Sequence, residues 1–257
     1  MAVSVVEQAA LDGAENFGVV DYFKEVASNR SFYIIQLPKI ALELSEKVAG
    51  FASATLSPIT TGLGRLTDAE DFVFFLQDLA SLPEATGKVC KKITGWINGS
   101  TTFMELANQV RKLAAHLGST LGDYAGSVRA LRGLNVAVGR LDVVSDKVGS
   151  CGSLLGSSSK LYDIVTGGNP SKTDTLKPSL QSVKRPLEES KNFWDAGIHV
   201  SIIALSLMGL TVGMAAYPAA TVLVSGGLLG SRMISYYRSC QLNAMNASHP
   251  QMKQAKI

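Results

Sequence analysis

The stretch AGIHVSIIALSLMGLTVGMAAYPAATVLVSGGLLGS, residues 196–231, contains no Asp, Glu, Lys or Arg in 36 residues. A single membrane span needs about 20 apolar residues, so this stretch is too long for one span and marginal for two. Pro218 divides it into a lobe of 22 residues and a lobe of 14. The second lobe lengthens to Tyr237 if Arg232 extends its charged end to the lipid headgroups. The sequence therefore predicts a membrane helical hairpin over 191–238 that turns near Pro218.

Residues on both sides of this stretch are typical of a membrane interface. Trp194 precedes it and Tyr236 and Tyr237 follow it, where aromatic side chains commonly contact headgroups. We expect these three residues and Arg232 to be interfacial anchors. Each lobe also carries a G-x-x-x-G pattern, which favours close packing of membrane helices. The four glycines are Gly209, Gly213, Gly226 and Gly230.

Basic residues flank the stretch on both sides, which predicts that both termini stay on the cytosolic side of a membrane. Two alternatives are a hairpin that is shielded in a soluble form and inserts later, and a core that stays buried permanently. A constitutive membrane hairpin is favoured because a purely soluble protein rarely lacks charge over this length.

Helical periodicity extends over the preceding part of the chain, and we assign residues 1–166 to one helical domain. One helix is predicted over 31–55. Another is predicted to begin near Asp68, with three acidic residues in its first turn, and to end or restart at Pro83. The residues interpreted as breaks before this helix are Pro58, Gly62 and Gly64.

Residues 101–165 carry apolar side chains at three- and four-residue steps, the pattern of a helix that packs through a narrow stripe. Five glycines between 118 and 139 weaken a single long helix. Either the glycines allow close helix approach, or the stretch breaks into two antiparallel helices. An intramolecular bundle is favoured over a self-associating coiled coil, and this face is the predicted contact for a protein partner or a second copy.

Residues 167–190 are rich in Gly, Pro, Ser and Thr and are predicted to be a flexible linker, while residues 239–257 are predicted to be a polar tail. The fragment after Gly168 does not match a phosphate-binding loop, because the glycine required before the lysine is replaced by Ser171. The fold class is therefore all-α: an elongated helical bundle or coiled-coil-like domain followed by a C-terminal transmembrane hairpin.

Composition excludes several classes of function. The chain of 257 residues has a formal net charge of +3 and no dense basic cluster, which argues against nucleic acid as a partner. Three well-separated cysteines argue against a disulfide framework. The three histidines lie far apart and outside any catalytic or metal-ligand pattern. We therefore expect a non-enzymatic protein without a catalytic, cofactor or metal site, whose partners are a lipid bilayer and another protein.

The two apolar lobes within 196–237, joined near Pro218, resemble those of the inclusion-membrane (Inc) proteins of chlamydiae, which carry two closely spaced apolar helices and expose both termini to the host cytosol. The resemblance covers about one sixth of the chain and is architectural. Helical or coiled-coil cytosolic regions are common in that family, and 101–165 would supply one here. The resemblance implies type III secretion without a cleaved signal, a location in a host vacuole membrane and a role in virulence.

The leading hypothesis is an integral membrane protein that presents a helical domain for protein–protein interaction or self-association, as a pathogen effector at the host–pathogen interface. The alternative is a membrane-remodelling or pore-forming translocator protein whose amphipathic helices insert beside the hairpin. An amphipathic helix binds a bilayer through its apolar face, so the two hypotheses differ in whether the helical domain itself enters the membrane.

Overall fold

The computed structural model describes residues 17–18, 21–22, 56–134, 136, 139, 141–166, 178–211 and 218–248. These residues form no strand, so the predicted all-α class is confirmed for the described part of the chain. Five long helices account for nearly all of it. They are α1 (Leu56–Ile97), α2 (Phe103–Gly133), α3 (Leu141–Val165), α4 (Pro178–Thr211) and α5 (Pro218–Ser248). The helix predicted over 31–55 and residues 249–257 of the predicted polar tail lie outside the described residues. Residues 239–248 of that tail instead belong to α5, where Cys240 and Met245 are buried, so the tail prediction is wrong for this part.

The helices form an open series in which each one packs on the next along the chain. Contacts between α1 and α2 run in opposite directions: Ser81 Oγ lies 3.0 Å from His116 Nε2, and Lys92 Nζ lies 3.1 Å from Glu105 Oε2. The same antiparallel order holds for the other neighbouring pairs. Helices α1 and α5 occupy the two edges of the series. Because each helix packs mainly on its neighbours along the chain, several helices have faces that no other helix covers.

Helices α2 and α3 approach most closely through glycines. A Cβ atom added at Gly118 would clash with the backbone of Gly156, and one added at Gly152 would clash with the backbone of Gly122. Two ion pairs fix the register at the ends of this contact. They are Arg111 with Asp163, and Arg129 with Asp146 at 3.1 Å. Both readings of 101–165 are therefore confirmed: the stretch forms two antiparallel helices, and its glycines allow them to approach closely.

Helix α1 differs from its prediction in both start and continuity. It begins at Leu56 and continues through Pro83, so Asp68 lies more than three turns inside it and not in its first turn. Asp68 instead accepts a hydrogen bond from Arg129 Nε at 2.9 Å. A proline inside a helix removes one backbone hydrogen bond. The helix nevertheless continues because α2 packs against it on both sides of Pro83.

The predicted linker is also partly helical. Residues 178–190 belong to α4, and Pro186 lies inside that helix. Ion pairs between residues four positions apart stabilise the helix here despite its turn-rich composition. Lys184 pairs with Glu188 at 3.4 Å, and Arg185 with Glu189 at 2.9 Å. The linker prediction is therefore wrong for 178–190, while 167–177 lie outside the described residues. The division of the chain into domains stays a prediction.

The glycine contact between α2 and α3 gives a first testable prediction. Gly152→Leu would force the helices apart, and overpacking of this kind costs about 1–3 kcal/mol of unfolding free energy. We expect a lower melting temperature by circular dichroism. Gly87→Leu is the matched control, because a Cβ at Gly87 meets no atom within 4 Å. Equal melting temperatures for the two variants would contradict the close approach of α2 and α3.

Candidate functional site

Helix α4 contains the candidate membrane-spanning segment. Among the described helices, Lys184–Thr211 is the one segment long and apolar enough to cross a bilayer. Its 28 residues extend over about 42 Å as a helix, more than the ~30 Å of a hydrocarbon core. Only 6% of the most apolar 18-residue part of this segment is buried inside the protein. Helix α5 reaches Arg232 after 14 residues, and the predicted two-span hairpin is not established.

The three faces of α4 have different neighbours. One face packs on α5, where Gly197 lies opposite Ser231. A second face lines a cleft against α2 and α3, with Ile202 and Leu205 among its residues. The third face points away from all described helices. Its exposed side chains repeat every seven residues: Phe193, Val200 and Leu207, which are 69%, 53% and 47% exposed.

A polar group links α4 to α5 just before the apolar stretch. Lys191 Nζ and Ser235 Oγ both donate to the carboxylate of Asp195, the last acidic residue before the apolar stretch. This carboxylate therefore joins two turns of α4 to α5. The pairing places the charged part of α4 at one end of its apolar part.

The predicted packing glycines occupy different positions from the observed contact. A Cβ at Gly226 or Gly230 would meet no atom within 4 Å, so neither lies at the crossing of α4 and α5. Gly213 lies outside the described residues. The carbonyls of Gly209 and Leu210 accept from Lys147 Nζ at 3.1 and 2.7 Å, which ties the end of α4 to α3. The role of the four glycines in membrane packing stays a prediction.

The predicted interfacial aromatics contact other parts of the protein. Trp194 is partly buried, with its ring 5.3 Å from that of Phe193. The rings of Tyr236 and Tyr237 lie 5.9 and 5.6 Å from that of Tyr22. The Tyr237 hydroxyl also donates to the backbone carbonyl of residue 17 at 3.0 Å. The N-terminal segment thus covers two of the predicted anchors.

The other predicted elements of this region are less informative. Arg232 is partly buried, as is typical of a long side chain packed along a helix. Pro218 is the first residue of α5, so the predicted turn falls at residues 212–217, outside the described residues. Whether Arg232 contacts headgroups and whether the chain turns in a membrane stay predictions.

Exposed apolar side chains are numerous outside α4 as well. Among the described residues, 25 large apolar side chains are exposed, whereas eight apolar side chains are buried. The interior formed by the open series is too small for the apolar content of the helices. Contiguous exposed apolar surface of this kind marks membrane or protein contacts.

A group of acidic side chains lies between α1 and α2. Burial, together with the nearby negative charges of Asp71 and Asp78, raises the pKa of Asp123 to about 7, while Lys160 opposes them. A pKa near 7 leaves this carboxyl partly protonated at neutral pH. No group of histidine, cysteine and acidic side chains suited to hold a metal occurs in the described part of the chain.

The raised pKa of Asp123 predicts a pH-dependent stability. The folded protein holds this proton more tightly than the unfolded chain, so the contribution is largest below about pH 4 and is lost as the pH rises through about 7. Asp123→Asn should therefore raise the melting temperature at pH 8. Asp123 is partly exposed, so we expect a screened gain of about 1 kcal/mol, or ~2–4 °C.

Glu84→Gln is the control for this measurement, because pairing with Lys88 lowers the pKa of Glu84. That substitution should give no gain at pH 8. A melting temperature of Asp123→Asn that equals the unsubstituted value at both pH 5 and pH 8 would contradict the assignment.

Comparison of the whole chain with protein-family models, with curated proteins and with solved structures gives no match, so the geometry of the helices is the basis for a functional proposal.

Proposed function

We propose that the protein is a non-enzymatic membrane protein that α4 anchors in a bilayer and that presents α1–α3 to protein partners. The single observation that supports it most is the outward face of α4. Phe193, Val200 and Leu207 lie on this face and are exposed. In lipid, such side chains no longer contact water, which stabilises the inserted helix.

The contact between α3 and α4 is compatible with this proposal. Residues 148–159 of α3 contain no charged side chain, whereas Lys147 and Lys160 on either side of them lie beside the apolar part of α4, near Gly209 and Ile202. Charged residues of α3 lie at its two ends. Lys147, at one end, donates to the last carbonyls of α4, which lack partners within the helix. The proposal therefore requires the α3 side of α4 to face the protein while the outward face of α4 contacts lipid.

A finer form of the proposal is a hairpin of α4 and α5 with both termini on the cytosolic side. It is supported by the antiparallel packing of α4 and α5 and by basic residues on both flanks of 196–231. Helix α5 would enter the membrane with its first 14 residues, and Arg232 would extend toward the headgroups.

The partner of the helical domain is proposed to be a protein or a second copy of this chain. On α2, Val110, Leu117 and Leu121 belong to the stripe predicted from the sequence and are exposed. Exposed apolar residues at such spacing are suited to a helix of a partner. The resemblance to inclusion-membrane proteins extends this proposal to an effector in a host vacuole membrane.

The alternative is a membrane-remodelling or pore-forming protein. It is supported by the exposed apolar residues of α1, such as Leu66, Val73 and Leu76, which lie outside the candidate span. In that case α1 would lie in the bilayer beside α4. This alternative requires leakage of lipid vesicles by the purified chain, whereas an anchored scaffold does not.

The anchor role predicts the behaviour of charge substitutions on the outward face of α4. The double variant Val200→Lys and Leu207→Lys should lose membrane insertion, because a lysine at the centre of a membrane helix costs about 2.5–3.5 kcal/mol. The measurement is the fraction of protein that resists extraction by alkaline carbonate. Val110→Lys on α2 is the control and should stay resistant.

Extraction of the unsubstituted chain by carbonate would contradict the anchor role. Equal resistance of the double variant and the control would show that the outward face of α4 does not contact lipid. Circular dichroism of both variants, which should show the same helix content, excludes unfolding as the cause of a loss.

The hairpin form predicts the topology of the termini. Tags at the N- and C-termini of the membrane-bound chain should be cleaved by protease from the same side of sealed vesicles. Cleavage from opposite sides would indicate one span and would contradict the hairpin, while leaving α4 as an anchor.

A further inference from the structure

A cleft of about 550 Å³ lies between α4 and the α2–α3 pair. A smaller cavity of about 150 Å³ adjoins it and shares Gly122, Ser153 and Ile202 with it. The cleft exists because glycines at the α2–α3 contact leave no bulky side chain on the surface that faces α4. Its volume falls in the range of about 300–1,000 Å³ that is typical of small-molecule sites.

Among the polar residues that line this cleft, which include Ser150 and Ser153, Ser206 lies on α4. Ser206 is 4% exposed and lines the cleft, yet it forms no hydrogen bond with any described residue. Serines in helices commonly donate to the carbonyl four residues earlier. Ser201 does so, donating to the Gly197 carbonyl at 2.8 Å. Since Ser206 lines the cleft and its hydroxyl has no described partner, this hydroxyl is available for a hydrogen bond with a ligand.

A second serine repeats this feature in the adjoining cavity. Ser157 is 6% exposed, lines that cavity and has no hydrogen bond with a described residue. The two hydroxyls lie on different helices, α4 and α3. A polar ligand in the cleft therefore has hydrogen-bonding groups available on both walls.

Charges at the ends of the cleft are balanced. Arg129 bonds to the carboxylates of Asp68 and Asp146, at 2.9 and 3.1 Å. At the other end, Lys160 lies near Asp123. Between these ends the lining is uncharged and includes the apolar side chains of α4. The cleft therefore favours an uncharged ligand over an anion or a cation.

We propose that this cleft binds an uncharged amphiphile whose hydroxyl bonds to Ser206 and whose hydrocarbon chain lies along Ile202 and Leu205. A fatty alcohol and a monoacylglycerol share this chemistry. The site does not require α4 to span a membrane, so its failure and the failure of the anchor role are distinguishable.

The test uses the full chain in lipid nanodiscs and 1-octanol that carries a photoreactive diazirine. After irradiation, mass spectrometry locates the labelled residues. We expect labels on the cleft side of α4, at Ile202 and Leu205, with weaker labelling there by octanoate that carries the same diazirine. Excess 1-monooctanoylglycerol should compete with the label, and a probe that fatty alcohols alone displace would restrict the ligand to alcohols.

Matched variants separate cleft binding from contact with bulk lipid. Ser206→Leu removes the hydroxyl and narrows the cleft beside it, and it should reduce the labels on the cleft lining. Ser206→Ala removes one hydroxyl without adding bulk and should weaken half-saturation roughly 5–10-fold, as loss of one hydrogen bond predicts. Ser201→Ala is the control, because its hydroxyl already bonds to Gly197, and it should bind as the unsubstituted chain does.

The proposal is overturned if labels on Ile202 and Leu205 persist unchanged in both Ser206→Leu and Ser206→Ala. It is also overturned if Ile202 and Leu205 carry no label while the outward residues Val200 and Leu207 do, since the probe would then have reacted from bulk lipid alone. Ser206→Ala keeps the test valid if Ser206→Leu does not fold, because the alanine adds no volume.

Discussion

The close antiparallel contact of α2 and α3 determines the arrangement of the other helices. Gly118 meets Gly156, and Gly122 meets Gly152, so the two backbones lie nearer than larger side chains would allow. Helix α1 then packs on α2, and α4 on α3. The small residues at this contact also leave the cleft beneath α4 unfilled. One steric constraint thus accounts for both the close α2–α3 contact and the cleft beside it.

Much of the helix content can be predicted from periodicity, but helix boundaries cannot. The stripe over 101–165 fits one long helix or two shorter ones. The ion pair of Arg111 with Asp163 distinguishes them, but it is known only from the folded structure. Pro83 is a helix breaker by local rules. It is tolerated because α2 packs on both sides of it. In 178–190, the prolines led to the prediction of a linker, although Lys184 and Glu188 and their neighbours have the spacing of ion pairs within a helix.

The candidate site is predictable in outline. Absence of charge over 196–231 predicts apolar helices, and residues 196–211 and 218–231 are helical, with one candidate membrane span in α4. Spacing alone does not show which face of that helix meets a neighbour. The G-x-x-x-G pattern selected Gly226, whereas Gly197 lies at the observed contact with α5. The sequence does not indicate that Ser206 lines a cleft, because its lack of a hydrogen bond depends on which residues lie opposite it in the fold.

The central claim is that one face of α4 contacts lipid while another contacts the cleft. Nitroxide labels at Val200, at Leu207 and at the cleft residue Leu205 test it directly in the membrane-bound chain. Val200 and Leu207 should be accessible to oxygen dissolved in the bilayer and inaccessible to a water-soluble nickel complex, whereas Leu205 should be less accessible to oxygen than either. High accessibility of Val200 and Leu207 to the nickel complex would contradict the account.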